Sequence, residues 1–193
     1  MPRTASKSGL TSLQKWLLPA LLLLLPFHVL LGEEALKRRV LVGLKLFPAV
    51  LAASQALESE SRISNIQVLI VYHDDDDYAE ELAATLRGIE RIRGIPLTVR
   101  TAPISSLQQR HAQPPFAIFV SQRNEEDIEV IAHYGRQHGI ITFSPFRGDV
   151  ERGVLAGIAI SDRILPLINK QTLATLPFGL KEFFLRVAEI YEP

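Results

Sequence analysis

Residues Ile66–Tyr72 read IQVLIVY, and Asp74–Asp77 follow them as DDDD. A half-exposed strand alternates apolar with polar residues; this nearly unbroken, β-branched run predicts instead a strand buried on both faces. The four carboxylates end it. Beyond them Tyr78, Leu82, Leu86 and Ile89 recur at helical spacing. Leu97–Thr101, Phe116–Val120 and Ile140–Phe143 read as three further strands, with a helix marked by Ile128, Ile131 and Tyr134 before the last. Strand, helix, strand, repeated, implies parallel pairing through right-handed crossovers. The expected fold class is therefore α/β: a single three-layer domain with a mainly parallel sheet, and with Val68, Ile70, Phe119, Ile141 and Ile158 in its core.

Both flanks of this centre have their own pattern. Upstream, Leu36, Val40, Leu41, Leu44 and Phe47 predict an amphipathic N-terminal helix from Glu34 that Pro48 should end or kink, resuming through Ala49 to Leu57. Downstream, Val154–Ile160 and Ile164–Ile168 flank Ser161–Arg163 as an antiparallel hairpin at one edge of the sheet. Pro166 cannot donate to a ladder, which places the second of these strands at the edge. Asn169 is suited to cap a short helix through Leu176, and after Pro177 and Gly179 a C-terminal helix is expected over Leu180–Tyr191, with Phe183, Phe184, Val187 and Ile190 on one face.

The first thirty-two residues bear on location. Arg3, Lys7 and Lys15 precede an apolar stretch from Trp16 to Leu31 that includes Leu21–Leu25, Pro19 and Pro26, and Gly32 stands before Glu33 and Glu34. That order is the order of a secretory signal peptide. Sixteen residues with two prolines fall short of the roughly 20 that span a membrane. Residues 1–32 are thus expected as a signal peptide and residues 33–193 as a periplasmic domain, an uncleaved membrane anchor being the alternative. The expected domain carries 18 basic and 21 acidic residues, a net charge of −3 that gives no reason to expect nucleic acid. The chain has no cysteine, which excludes disulfides, thiolate chemistry and a lipid-modified N-terminal cysteine.

Taken in order, VLIVYHDDDDYAEELAATLRG, GIPLTVR, AIFVSQRNEEDIEVIAHYGRQHGIITFS, RGVLAGIAI and INKQTLATLPFGLKEFFLRVAEIYE resemble the YfiR family of small periplasmic α/β proteins across residues 35–192. The matching positions are Ser121 at the end of AIFVS, Gly153 and Gly157 around the glycine-rich strand, Ile168 with Asn169, and the segment Leu185–Ile190. The resemblance implies a non-catalytic regulatory protein of the periplasm that binds the periplasmic part of an inner-membrane signalling protein, such as a diguanylate cyclase, and so influences cyclic-di-GMP. The tail INKQTLATLPFG is also similar to that of substrate-binding components of ABC importers, which gives the alternative function. Known repressors of the family carry cysteines, so thiol-based sensing does not transfer to this chain.

Candidate sites follow from the parallel sheet, because ligands in such folds lie beyond the carboxyl ends of the strands where strand order reverses. The loops there are His73–Asp77, Ser121–Asn124 and Ser144–Asp149. Ser121, Gln122, Arg123 and Asn124 offer hydroxyl, amide and guanidinium groups to a partner or ligand, and Ser144, Phe146 and Arg147 form a second candidate contact. Each has a structural counterpart: Asn124 as the N-cap of the helix containing Asp127, and Phe146 folded beneath its own loop as core. Asp74–Asp77 could ligate a divalent cation, but the run lacks the spacing and glycine of an EF-hand, and capping with a favourable helix-dipole interaction accounts for it. No metal or cofactor is expected. His133 and His138 are five apart on one helix, outside the spacing of a ligand pair, and His111 lies in a loop. Ser121 with His73 and Asp74 could form a triad only with geometry that no G-x-S-x-G elbow announces, and no G-x-G-x-x-G or P-loop is present. Val42, Leu46, Val50 and Leu51 extend the first helix's apolar character beyond one stripe, which favours a homodimer or a membrane-protein partner.

Overall fold

A computed structural model describes residues 13–58, 63–109 and 114–193. The start of the expected signal peptide, Met1–Ser12, and His111 lie outside the described residues. Two compact units are distinguished, Met1–Arg38 and Arg39–Pro193. The first is described from Leu13, where the helix α1 (Leu13–Ala53) begins. Among the residues whose side chains are described, no helix is long and apolar enough to cross a membrane.

The second unit is an α/β domain built on eight strands: β1 (Ile66–Tyr72), β2 (Arg91–Ile92), β3 (Ile95–Pro103), β4 (Ala117–Val120), β5 (Ile141–Phe143), β6 (Ala156–Ile160), β7 (Ile164–Asn169) and β8 (Glu189–Tyr191). Their order across the sheet is β2-β3-β1-β4-β5-β6-β7-β8. The pairs β3–β1, β1–β4, β4–β5, β5–β6 and β7–β8 are parallel, whereas β2–β3 and β6–β7 are antiparallel. Side chains of successive residues leave opposite faces of a strand, and the core divides accordingly. Ile66, Val68, Ile70, Ala117 and Phe119 share one cluster with α1 and α2 (Asp76–Arg87), while Leu69, Val71, Ile118 and Val120 share another with α3 (Asp127–His138) and the 3-10 turn Ile104–Gln109. The sheet is the middle of three layers. Val68, Ile70, Phe119, Ile141 and Ile158 are all buried, as expected.

Four expectations change in detail. Pro48 does not end the first helix, which runs on to Ala53. An interior proline costs about 3 kcal/mol; here fully buried Phe47, Val50 and Leu51 anchor the turns around it. The excess apolar surface expected on that helix is consumed by the core, since Val50 and Leu51 are buried and Val42 and Leu46 pack against the same cluster. Gly43 allows this close approach, because a Cβ there would stand 2.9 Å from Pro145 Cβ and 3.1 Å from Phe143 Cε1.

Asn169 caps the short helix α4 (Lys170–Thr175) as expected, but the C-terminal helix contracts to α5 (Glu182–Leu185), and Glu189–Tyr191 become β8 instead, pairing in parallel with Leu167–Asn169 of β7. Only Phe184 of the expected apolar face is buried, with Phe183 and Val187 exposed, so a longer helix would gain little from the core. β7 is consequently not the outermost strand. Pro166 still lies outside the segment of β7 that β8 covers, where its missing donor is harmless.

Candidate functional site

β1 lies between β3, the first strand after the α2 crossover that pairs with it, and β4. Strand order therefore reverses between β1 and β4, and the loops leaving their carboxyl ends, His73–Asp75 and Ser121–Asn124, face each other there. Gln122 bridges them. Its Oε1 accepts from the backbone N–H of Asp74 at 3.0 Å and of Asp75 at 3.1 Å, and its Nε2 donates to Asp74 Oδ1 at 2.6 Å. The carboxamide thus sits where a ligand of this fold would meet the backbone donors. Ser121 is buried, and both its N–H and its hydroxyl donate to Val71 O at 2.9 Å.

Asp75 caps α2 by accepting from Tyr78 N–H at 2.9 Å, and Asp76 and Asp77 occupy the first turn, as the capping interpretation anticipates. Among the described residues no group of three or more His, Asp or Glu side chains converges as metal ligands would. His73 Nδ1 stands 2.8 Å from Asp127 Oδ2 and its Nε2 2.9 Å from Asn124 Nδ2. A neutral ring protonated at Nδ1 satisfies both contacts. Asn124 is therefore not the side-chain cap expected of it; instead its N–H donates to Asp127 Oδ2 at 2.8 Å, and α3 starts after Glu126 without a side-chain cap. The carboxylate of Asp127 already serves the Asn124 N–H and the imidazole, leaving the Asn124 side-chain amide for His73. A Ser121–His73–Asp74 triad is not formed.

The third loop joins this crest through a buried ion pair. Arg123 Nε donates to Asp149 Oδ2 at 3.0 Å and Nη2 to Oδ1 at 2.5 Å. Ser144 Oγ donates to the same Oδ2 at 2.5 Å and accepts from Phe146 N–H at 3.2 Å. Asp149 and Ser144 are fully buried, a position a carboxylate tolerates only with such partners. Phe146 packs half-buried against both core clusters, with the Arg123 guanidinium 5.2 Å from its ring centroid. Of the expected site residues, Arg123, Ser144 and Phe146 share one network through Asp149, whereas Ser121 bonds to Val71 O, Gln122 to Asp74 and Asp75, and Asn124 to His73 and Asp127. Arg147 stands apart, exposed at the rim of a groove of about 480 Å³ that Arg39, Glu151 and Ile158 also line.

Asp149 as the centre of the network and Arg39 in the groove are absent from the sequence reading. Arg39 had a signal: it lies one helical turn before Gly43 and two before Phe47, on the stripe that packs inward. The Arg39 guanidinium is held below its ordinary pKa, chiefly by burial and then by the charge of Arg147, with Glu151 acting in the other direction.

No protein-family model and no curated protein matches the sequence. Among solved structures, the chain is similar to a conserved domain protein from Vibrio cholerae, with 19% identity and a TM-score of 0.51 over 72% of this chain and 59% of that one. It is also similar to an ABC domain in complex with L-Trp from Streptococcus pneumonia, with 14% identity and a TM-score of 0.54 over 79% of this chain and 60% of that one. The chain spans about three fifths of the length of these structures. At such identities the likeness is one of fold.

Proposed function

We propose that the chain is an exported, non-catalytic binding protein of the YfiR-like type, acting in the periplasm on the periplasmic part of an inner-membrane signalling protein such as a diguanylate cyclase. The observation that carries this reading is the division of polar groups at the carboxyl end of the sheet. Gln122, Arg123, Asn124 and Ser144 spend their donors within the chain, while Arg147 and the groove beside it face outward. A surface of that kind suits contact with another protein better than chemistry on a bound substrate. The order of YfiR-like motifs in the sequence supports the partner class.

The test has two parts. Intact-mass analysis of the periplasmic fraction should find an amino terminus near Glu33. Removing the chain from its host should change the cellular cyclic-di-GMP level, and restoring it should reverse the change. Unchanged cyclic-di-GMP together with recovery in the cytoplasm would overturn the reading. A second reading, the solute-binding component of an importer, is favoured by the fold likeness to the ABC domain solved with L-Trp. Saturable binding of L-Trp by the purified chain, with no effect on cyclic-di-GMP, would select it instead.

A further inference from the structure

The sheet splits at one place. β5 and β6 share a single register pair, Phe143↔Ala156, after which Ser144 N–H reaches Ala156 O at 2.9 Å and the strands part. Pro166 has no N–H, so its pairing with Ile158 is a non-hydrogen-bonded one, and the peptide groups of Ile158 turn toward the split. Ile160 does the same two residues on, consistent with the bond from Ser161 N–H to Arg163 O at 3.0 Å beyond it. Arg39 enters this notch. Its Nε donates to Pro145 O and its Nη2 to Ile158 O at 3.0 Å, so one side chain closes both diverging strands and its guanidinium plane is fixed. Arg147 approaches from the loop; among the described residues it donates no hydrogen bond and joins no ion pair.

We propose that this notch binds a carboxylate carried on an apolar group, held by Arg147 and the free edge of Arg39 with Val150, Ala159 and Leu167 beneath the apolar part. Two guanidinium groups, one of them immobilised, present the paired donors that match a carboxylate. The groove's volume of about 480 Å³ admits more than a simple ion. Its charge sets the valence: Glu151 lies beside the arginines, and Glu189 lines the far wall on β8, two strands from β6. Those carboxylates disfavour a dianion such as phosphate. The inference deepens the proposed function, resting on the reading that this rim is the contact surface, and a carboxylate of the partner and a free organic acid share its chemistry.

The test is a chemical-shift titration of the purified full chain, following the backbone amides of Gly148, Ile158 and Ile160. The probes are hexanoate, hexanamide, inorganic phosphate, and the peptide acetyl-Leu-Leu-Glu-Leu-amide with its Gln counterpart. Saturable binding of hexanoate or of the Glu peptide, weakened about tenfold by Arg147→Ala and also by Arg39→Lys, is the expected result. Tighter binding of the Glu peptide assigns the protein source, and tighter binding of hexanoate assigns the free acid. Equal shifts with hexanamide, stronger binding of phosphate, or insensitivity to Arg147→Ala would overturn the proposal. Arg147 is exposed, so its variant keeps the test meaningful if Arg39→Lys does not fold. If no probe binds while cyclic-di-GMP still responds to the chain, this inference alone fails; if hexanoate binds and cyclic-di-GMP does not respond, the functional reading alone fails.

Discussion

Over β1, β4 and β5 the side chains of Gln122, Asn124, Arg123 and Ser144 end on groups of the chain itself. One strand further along the same end of the sheet, Arg147 stands at an open groove, and Ile160 and Ile164 are nearly half exposed. In sequence the two regions share a pattern, each being a loop that opens on a serine after a strand and carries an arginine. Their difference lies in hydrogen-bond accounting. A parallel sheet leaves backbone donors above its switch point that must be satisfied, and here the loop from β4 satisfies them with Gln122. Where β5 and β6 part, one side chain from a helix does the equivalent work, and the charge next to it is left over.

The crest should therefore behave as structure and the notch as surface. The largest effect is expected at Asp149: its replacement by alanine strands the Arg123 guanidinium, and removing one partner of a buried pair destabilises by about 3 to 5 kcal/mol. Urea denaturation measures this, and a loss near zero would mean that the crest is not held from within. Ile70→Ala, at a fully buried position of β1 beneath it, should lose about 2 to 5 kcal/mol by the same measurement. Gln122→Ala should lose about 1 kcal/mol, because Asp74 and Asp75 N–H can turn to water. Arg147→Ala should change stability by less than about 0.5 kcal/mol. A loss as large as that of Asp149→Ala would erase the contrast between the two regions.

Acid sharpens the comparison from outside both regions. Hydrogen bonding from Lys181, then its charge, holds Glu58 below the ordinary glutamate pKa, and hydrogen bonding from Arg87 does the same for Glu80. A depressed folded-state pKa contributes stability above the unfolded value and loses it as pH falls through the folded one. Stability should accordingly decline through the acidic carboxylate range. Glu58→Gln should flatten part of that decline in pH-dependent thermal denaturation while leaving the neutral-pH behaviour of Arg147 variants unchanged.

How much of this was legible in the sequence depends on what each residue's role required. IQVLIVY announces a doubly covered strand because burial on both faces is written in the residues themselves, and Asn169 announces its cap: its Oδ1 accepts from Thr172 N–H at 2.8 Å. Leu180–Tyr191 misled, because a helical spacing of apolar residues says nothing about whether a sheet edge is waiting beside it, and β8 forms on the register that β7 offers. In the candidate site the loops were legible and their partners were not. Asn124 and Gln122 lie where expected, but whether an amide faces a ligand or a neighbouring loop is decided by residues about 50 positions away. Gly157 shows the same limit: its requirement comes from Ser144 O, 2.8 Å from where a Cβ would stand, a contact between segments that only the fold brings together.

The most direct test of the account places a photo-crosslinking residue at position 147 of the full chain, and separately at position 76 beside the crest, in cells of the native host. The account predicts an adduct with one inner-membrane protein from position 147 and none from position 76, with both variants folded by circular dichroism. An adduct from position 76 alone, or none from either, would contradict it.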